Sequence, residues 1–203
     1  MAAKGIAERA RTLLIRVTLT GVLILLAISD SHWRGSGSPL ILIFPFGIFL
    51  AAIGAVGRLW CSVFISGYKT NCLITSGPYA MCRNPLYFFS LIGVVGVALV
   101  TETLTLPLVL FAGFIFYYPS VVLGEERRLA KLHGQVYQEY CRRTPRFFPT
   151  LKALTEPEEY TVRPAIIRKS FIDAIWFIWG IAVIELIKAM HDVGVLPVYL
   201  MVY

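Results

Sequence analysis

The chain has few charged residues. Only 15% of its 203 residues are Asp, Glu, Lys or Arg, whereas 57% are hydrophobic, and the mean hydropathy is +0.71. Soluble domains carry about 25% charged and about 45–50% apolar residues, so this composition excludes an ordinary soluble domain. We therefore expect an integral, multi-pass membrane protein with the lipid bilayer as its first partner.

The sequence also lacks the spacings that mark metal centres and dinucleotide domains. Its cysteines, Cys61, Cys72, Cys82 and Cys141, form no Cys-x-x-Cys pair, and its three histidines are scattered. We predict reduced thiols and no metal partner. A strand followed by Gly-x-Gly-x-x-Gly is also missing, so no Rossmann domain is expected. The first apolar run has no small-residue cleavage site, which argues against a cleaved signal sequence.

Long apolar segments predict an all-α fold, a polytopic membrane helix bundle in one domain covering residues 1–203. About 20 apolar residues are needed for each transmembrane helix. About five transmembrane helices are predicted, at residues 12–29, 40–65, 86–100, 104–123 and 170–189. The polar segments 67–85 and 124–169 are predicted to lie on one side, in the cytosol.

Basic residues are unevenly distributed between the two predicted sides. With the N-terminus inside, four basic residues lie on that side within residues 4–16, joined by Lys69, Arg83 and ten between Arg127 and Lys169. The other side receives Arg34 and Lys188. Cytoplasmic loops carry an excess of Lys and Arg, so we predict a cytoplasmic N-terminus. Because these side chains flank apolar segments, no nucleic-acid partner is expected.

Four further positions carry structural expectations. Arg58 interrupts the second span, and snorkelling of its side chain to the interface explains it without a function. Gly93 and Gly96 share one helix face and predict close packing of a neighbouring helix. Gly134 costs about 1 kcal/mol in a helix relative to alanine, which predicts a close contact there. Residues 150–168 are polar and predict an exposed linker.

The stretch Thr75–Tyr87, TSGPYAMCRNPLY, is the first polar segment, and its prolines prevent a continuous helix. Pro78 and Pro85 keep Gly77 and Asn84 out of helical geometry. Backbone groups are therefore left free at the membrane edge, which is tolerated where the backbone is buried in protein or lines a polar cavity. An ordinary connecting loop is the alternative.

The second polar segment, Gly124–Pro149, contains the acidic pair Glu125–Glu126. Such a pair at a membrane interface is costly without a positive partner, and Arg83 and Arg146 lie on the same predicted side. Carboxylates hold an ammonium group, while arginine or backbone N–H groups hold a carboxylate. These glutamates and arginines together suit a zwitterionic ligand, although loop residues that only form salt bridges with each other would give the same sequence pattern.

These two segments resemble motifs of the integral-membrane methyltransferases that include isoprenylcysteine carboxyl methyltransferase and the phospholipid N-methyltransferases. NCLITSGPYAMCRNPLY is similar to H-x-L-V-T-S-G-x-Y-x-x-x-R-H-P-x-Y. EERRLAKLHGQVYQEYCRRTPRFFP is similar to E-E-x-x-L-x-x-x-F-G-x-x-Y-x-x-Y followed by a proline-bounded arginine. The resemblance covers Arg58–Pro149 and implies a cytosolic cofactor pocket for S-adenosylmethionine, whose methyl group goes to a lipophilic small molecule or lipidated substrate.

The resemblance also implies residue roles. Glu125 would take the cofactor's amino group, while Arg83 and Glu126 are assigned to the catalytic centre in a supporting role, closing the two segments onto each other. The other cofactor-lining residues would be Asn71, Cys72, Leu73, Ile74, Tyr79, Asn84, Pro85, Leu86 and Tyr87. Two positions depart from the pattern: Asn84 replaces a frequent histidine, and Val121 replaces the arginine expected to receive a prenylcysteine carboxylate.

Several functions remain open from the sequence. The leading hypothesis is an isoprenylcysteine carboxyl methyltransferase-like enzyme, and the alternative is a phospholipid or amine N-methyltransferase. A sterol-type reductase using NADPH is a rival, but Glu125 and Glu126 would repel a phosphorylated dinucleotide. A membrane scaffold without enzymatic activity is the third possibility.

Overall fold

The computed structural model describes residues 2–34, 42–66 and 72–203, and helices dominate these ranges. The helices are α1 (Ala2–Ile28), α2 (Ile43–Ile65), α3 (Pro78–Met81), α4 (Pro85–Leu99), α5 (Thr105–Arg143) and α6 (Pro164–Asp192). A 3-10 turn covers Leu151–Ala153, and the strands are β1 (Ser29–Ser31) and β2 (Leu200–Val202). The predicted all-α membrane helix bundle is confirmed.

Helices α2, α5 and α6 are long and apolar enough to cross a membrane. Arg16–Ile28 of α1 and all of α4 are shorter apolar stretches. The 15 residues of α4 extend over only about 22 Å, less than the roughly 30 Å hydrocarbon core of a bilayer. A helix of this length spans a bilayer only with one end below the surface, where the adjoining chain needs protein around it.

Glycines allow α2 and α4 to pack with their backbones in contact. The helices run antiparallel, with Gly47 beside Gly96 and Gly54 beside Gly93. A Cβ added at Gly54 would lie 2.3 Å from the Gly93 Cα, and one at Gly96 would lie 2.3 Å from the Ala51 amide nitrogen. The close packing predicted at Gly93 and Gly96 is confirmed, and it fixes the height of α4 relative to α2.

A two-stranded parallel sheet joins distant parts of the chain at one end of the bundle. Strand β1 pairs with β2 in the register Ser29 to Leu200. The next carbonyl group along, that of Tyr203, accepts hydrogen bonds from the amides of Leu104 and Thr105 at 3.0 and 2.7 Å. The sheet was not predicted, because three-residue strands are too short for an alternating pattern to appear.

Gly134 has a different role from the one predicted. Its φ of 52° and ψ of −123° interrupt the helical geometry inside α5, and apart from its own stretch of helix no atom of the described residues lies within 4 Å of an added Cβ. The predicted close contact is therefore wrong. Glycine is needed because it alone adopts such positive-φ backbone at little cost.

Residues 150–168 are mostly exposed, as predicted, but the first part of this segment is fixed to the bundle, which was not predicted. The Thr150 amide donates to the Met81 carbonyl at 3.0 Å, and the Thr155 carbonyl accepts from the Gly77 amide at 2.7 Å. The Tyr160 hydroxyl donates to the carbonyl of Phe64. Residues 150–160 thus support the loop before α4, and α6 begins at residue 164.

Arg58 is held between helices instead of snorkelling to the interface. Its guanidinium donates a hydrogen bond to the Ser90 hydroxyl of α4. The guanidinium carbon also lies 5.9 Å from the centre of the Phe177 ring of α6. The snorkelling interpretation is therefore wrong, because the side chain is turned toward α4 and α6.

We predict that Gly54→Ala lowers stability by about 1–3 kcal/mol, because the new methyl group would meet backbone atoms of Gly93 that can move only with α4. Gly113→Ala is the matched control, since nothing in the described part of the chain, apart from its own helix backbone, lies within 4 Å of its Cβ position. Thermal unfolding of both variants in detergent measures the difference. Equal melting temperatures for the two variants would contradict the backbone contact.

Candidate active site

The loop before α4 is shaped by two prolines and a glycine. Pro78 and Pro85 occupy the first turns of α3 and α4, where a missing N–H costs nothing and the fixed φ suits a helix. Both prolines are fully buried. Gly77 has a φ of 60°, and an added Cβ would lie 2.4 Å from the Phe64 ring. Residues 72–84 are therefore a packed, irregular wall, as the sequence predicted for Gly77 and its neighbours.

Helix α5 forms the opposite wall, and the break at Gly134 determines which residues face inward. An unbroken helix would place Leu132, Val136 and Tyr140 on one buried face. Instead Leu132 and Val136 are 53% and 63% exposed, whereas Tyr137 and Tyr140 are buried. The Tyr140 hydroxyl donates to the Tyr79 carbonyl at 2.8 Å, which joins the end of α5 to the loop.

An ion-pair cluster closes the two walls onto each other. Glu126 accepts from Arg83 at 3.0 Å and from Arg146 at 2.9 Å, and its side chain is only 12% exposed. The Asn84 side-chain amide donates to the Arg146 carbonyl at 3.0 Å, and the Arg83 backbone amide donates to the Pro145 carbonyl at 2.8 Å. The Arg83–Glu126 closure predicted from the sequence is thus present as a contact.

A cavity of about 140 Å³ lies between the walls. It contains most of the residues singled out from the sequence: Cys72, Leu73, Ile74, Tyr79, Arg83, Asn84, Leu86, Tyr87, Glu125 and Glu126. Two residues do not join this set. Pro85 is buried in the first turn of α4 and is not part of the lining, and Asn71 lies outside the described residues.

Sequence reasoning missed five residues of the lining: Ile65, Arg128, Leu129, Tyr137 and Tyr140. The Tyr-x-x-Tyr spacing of the second motif was a usable signal for two of them, because residues three apart share a helix face. Arg128 carried no such signal, since it lies in a run of basic residues that reads as a solvated surface.

Glu125 differs from Glu126 in its surroundings. Its carboxylate accepts from the Tyr87 hydroxyl at 3.4 Å, and among the described residues no Lys or Arg nitrogen lies within ion-pairing distance of it. Glu126, by contrast, is shared between two arginines. Glu125 is therefore the carboxylate that faces the cavity with its charge uncompensated.

Burial keeps the Tyr79 and Tyr140 phenols and the Cys82 thiol protonated near neutral pH. It raises the pKa of Tyr79 and of Tyr140, so both phenols are neutral, and it raises the pKa of Cys82 to about 11. Partial burial is the largest single effect and acts to lower the pKa of Arg83, but the Glu126 carboxylate, Cys141 and Tyr137 together outweigh it, so the pKa is raised. The Arg83 guanidinium therefore stays charged near neutral pH.

Known proteins match this chain over the elements that build the cavity. The sequence model of the phospholipid methyltransferase family matches residues 40–136. The cobalt-zinc-cadmium resistance protein CzcN of Cupriavidus metallidurans is 41% identical over 89% of this chain and 83% of its own length. The nickel-cobalt-cadmium resistance protein NccN of Alcaligenes xylosoxydans xylosoxydans is 33% identical over 92% of this chain and 86% of its own length. The chain belongs to the phospholipid methyltransferase family.

The suspected family is thus confirmed, and the protein is an integral membrane member of a methyltransferase family. The family match begins just before α2 and ends at residue 136, two residues after the break in α5. It includes the loop wall and the Glu125–Glu126 pair but neither α1 nor α6. No solved structure matches the chain.

For this methyltransferase-family protein, we predict that Glu126→Gln lowers the free energy of unfolding by about 1.5–3 kcal/mol, because Arg83 loses a charged partner. Glu139→Gln is the control, because Glu139 is exposed on the same helix and surface charges contribute little. Chemical unfolding in detergent measures both. A Glu126→Gln variant as stable as the control would show that the ion pairs do not hold the walls together.

Proposed function

We propose that the protein is an S-adenosylmethionine-dependent methyltransferase that acts on a lipophilic acceptor at the membrane. The observation that carries the proposal is the unpaired Glu125 carboxylate in a cavity lined by Tyr79, Tyr87 and the irregular chain at 72–74. The membership in a methyltransferase family supports it.

The chemical groups around the cavity fit the zwitterionic end of this cofactor. Glu125 would hold the ammonium group through a charge-assisted hydrogen bond. Arg128 and the backbone amides of Leu73 and Ile74, which belong to no helix or strand, would hold the carboxylate. The tyrosine rings would face the sulfonium cation. Each part of the ligand therefore has a counterpart in the lining.

The residues contribute mainly by positioning. When bound, S-adenosylmethionine would supply an electrophilic methyl carbon on a positively charged sulfur, and these residues would hold that carbon in line with the acceptor. Correct alignment in a closed site accounts for up to roughly 7–11 kcal/mol of a barrier in favourable cases. Arg83, Glu126 and Arg146 would hold the walls in that alignment and keep water out.

The chemical class of the methyl acceptor depends on whether a residue at the cavity can accept a proton from it. None of the described lining residues is a histidine, and Glu126 is shared by two arginines. An ammonium acceptor must lose a proton before it reacts, whereas a carboxylate needs no base. This favours an isoprenylcysteine carboxyl methyltransferase-like reaction, with a phospholipid or amine N-methyltransferase as the alternative. Val121 counts against prenylcysteine itself.

We also propose that the cavity faces the cytoplasm. The basic residues around α5 and the start of α6 would lie on that side, in agreement with the positive-inside rule. A reporter that is active only in the cytoplasm, fused after residue 158, should be active. A reporter inserted in the turn after residue 32 should be inactive. The reverse result would invert the topology.

Isothermal calorimetry of the purified protein with S-adenosylhomocysteine tests the proposed function. We expect the parent protein to bind this product and Glu125→Gln to bind it about ten- to hundred-fold more weakly. A charge-assisted hydrogen bond is worth roughly 1.5–3 kcal/mol. The Glu126→Gln variant should bind S-adenosylhomocysteine more tightly than the Glu125→Gln variant does. The Glu126 side chain lies about 100° farther round the helix, so it cannot point at the same ammonium group.

NADPH is the control ligand in the same experiment. Binding of NADPH without S-adenosylhomocysteine would assign the protein to the reductase class. Unchanged affinity in Glu125→Gln would place the ammonium site elsewhere.

A further inference from the structure

A second cavity, of about 250 Å³, lies at the opposite end of the bundle from the candidate active site. It is enclosed by α1, α6, the start of α5, the turn after α4 and the two strands. Tyr87, in the first turn of α4, lines the first cavity, whereas Thr101, just after the end of α4, lines the second. Because α4 is about 22 Å long, the second cavity is a separate site.

A third cavity, of about 210 Å³, adjoins the second. The two cavities share the lining residues Val22, Leu26, Leu106 and Ile184. Every described residue that lines the third cavity is aliphatic or aromatic. On α6 the two linings together run from Trp176 to His191, about 22 Å of helix. The two cavities therefore form a long slot with one polar and one apolar end, which is the outline of an amphiphile with a hydrocarbon chain.

The side-chain hydrogen-bond donors at the polar end of the slot are already used within the chain. Lys188 donates to two carboxylates, at 2.5 and 2.9 Å. Thr103 donates to Thr101, whose own hydrogen goes to the Ala98 carbonyl. The other hydroxyls that donate to backbone carbonyls are those of Ser29, Ser31 and Thr105. A carboxylate or phosphate headgroup, which needs donors, is therefore not favoured at this end.

His191 offers a buried acceptor at the same end. Its Nε2 lies 3.0 Å from the Ala27 carbonyl oxygen. Because a carbonyl oxygen can only accept, Nε2 carries the ring hydrogen and Nδ1 presents a lone pair. Nδ1 is buried and has no hydrogen-bond partner among the described residues, and a buried acceptor without a partner costs free energy. A ligand that donates a hydrogen bond here would remove that cost.

The charges at the polar end favour an uncharged ligand. Asp30 and Lys188 are the charged residues of the described lining. The Asp30 carboxylate lies 3.1 Å from the Arg34 guanidinium, and Lys188 is paired with Glu102 and Glu185. An ammonium headgroup would therefore find no unpaired carboxylate in this lining. A hydroxyl group needs no counter-ion and carries the required donor.

We propose that the slot binds a lipophilic alcohol, with the hydroxyl at His191 and the hydrocarbon chain in the apolar cavity. Nδ1 lies just beneath the lining, so a small turn of the ring presents it to the hydroxyl. The apolar cavity alone is larger than the roughly 150 Å³ cavity that accommodates benzene in another protein. Leu25 and Val109 line the slot and are 38% and 60% exposed, so the alcohol reaches it from the bilayer between α1 and α5.

This inference goes beyond the proposed function and does not depend on it. A molecule held at His191 lies about the length of α4 away from the cavity that contains Glu125, so it is not placed to receive a methyl group there. The alcohol would instead join α1 to α5 and α6 at the end of the bundle that carries the sheet.

Native mass spectrometry of the full chain in detergent, with dodecanol and dodecanoate added together, tests the slot. The two ligands have the same chain length, but only the alcohol carries a donor at neutral pH. We expect the parent protein to retain dodecanol in preference to dodecanoate. His191→Phe keeps a ring of similar size without its nitrogens, and it should reduce this preference about two- to ten-fold, the effect of losing one neutral hydrogen bond. A purely structural role of His191 would lower the retention of both ligands equally.

Gly21→Leu tests the position of the slot. Gly21 lines it, and apart from its own helix backbone no atom of the described residues lies within 4 Å of an added Cβ. The leucine side chain should enter the slot without a clash and abolish the retention of dodecanol. Gly113→Leu is the matched control, because its Cβ position is equally open within the described structure but lies outside the slot. If Gly21→Leu does not fold, Val22→Phe replaces it, since Val22 lines both cavities.

Four outcomes would overturn the proposal. Retention of neither ligand by the parent would assign the slot to water, and equal retention of both would remove the hydroxyl from the argument. An unchanged preference in His191→Phe would separate the headgroup from His191. Retention of dodecanol by a folded slot-filling variant, equal to that of Gly113→Leu, would place the alcohol elsewhere on the protein.

Discussion

The candidate site depends on one buried carboxylate that is shared by two arginines. Glu126 of α5 binds Arg83 from the loop before α4 and Arg146 from the chain after α5. The loop and the chain after α5 also share the hydrogen bond from the Arg83 amide to the Pro145 carbonyl, and the ion pairs join the Glu126 turn of α5 to both segments. Removing one partner from such a cluster is more harmful than the net contribution of the cluster suggests, because a desolvated charge is left behind.

Much of this arrangement could be predicted from the sequence, because the signals were local. Two prolines in thirteen residues force an irregular wall, and adjacent glutamates on a helix cannot face the same atom. The roles of Arg58, Gly134 and residues 150–160 could not be predicted in the same way. Arg58 donates to a hydroxyl on another helix, and Thr150 and Thr155 are held by backbone bonds that any residue types can make. Neither kind of partner leaves a pattern along the chain.

Gly134 shows how a single residue changes the meaning of a periodic pattern. The apolar residues of α5 follow one helical period on both sides of it, and a straight helix would bury Leu132 and Val136. The positive φ of Gly134 shifts the phase, so two tyrosines reach the cavity and these two side chains are left exposed. A helical period continued straight through Gly134 would therefore place Leu132 and Val136 on the wrong face of the helix.

The pairing of β1 with β2 has a consequence for the biosynthesis of the protein. The two strands are separated by almost the whole chain, yet they form one ladder at the end of the bundle away from the cavity. Until the ribosome has produced residues 200–202, β1 has an unpaired edge and the amides of Leu104 and Thr105 lack the Tyr203 carbonyl. The earlier helices must therefore enter the membrane and wait in an incomplete state. That interval is the stage of synthesis at which an insertion chaperone or a membrane protease would meet the exposed edge.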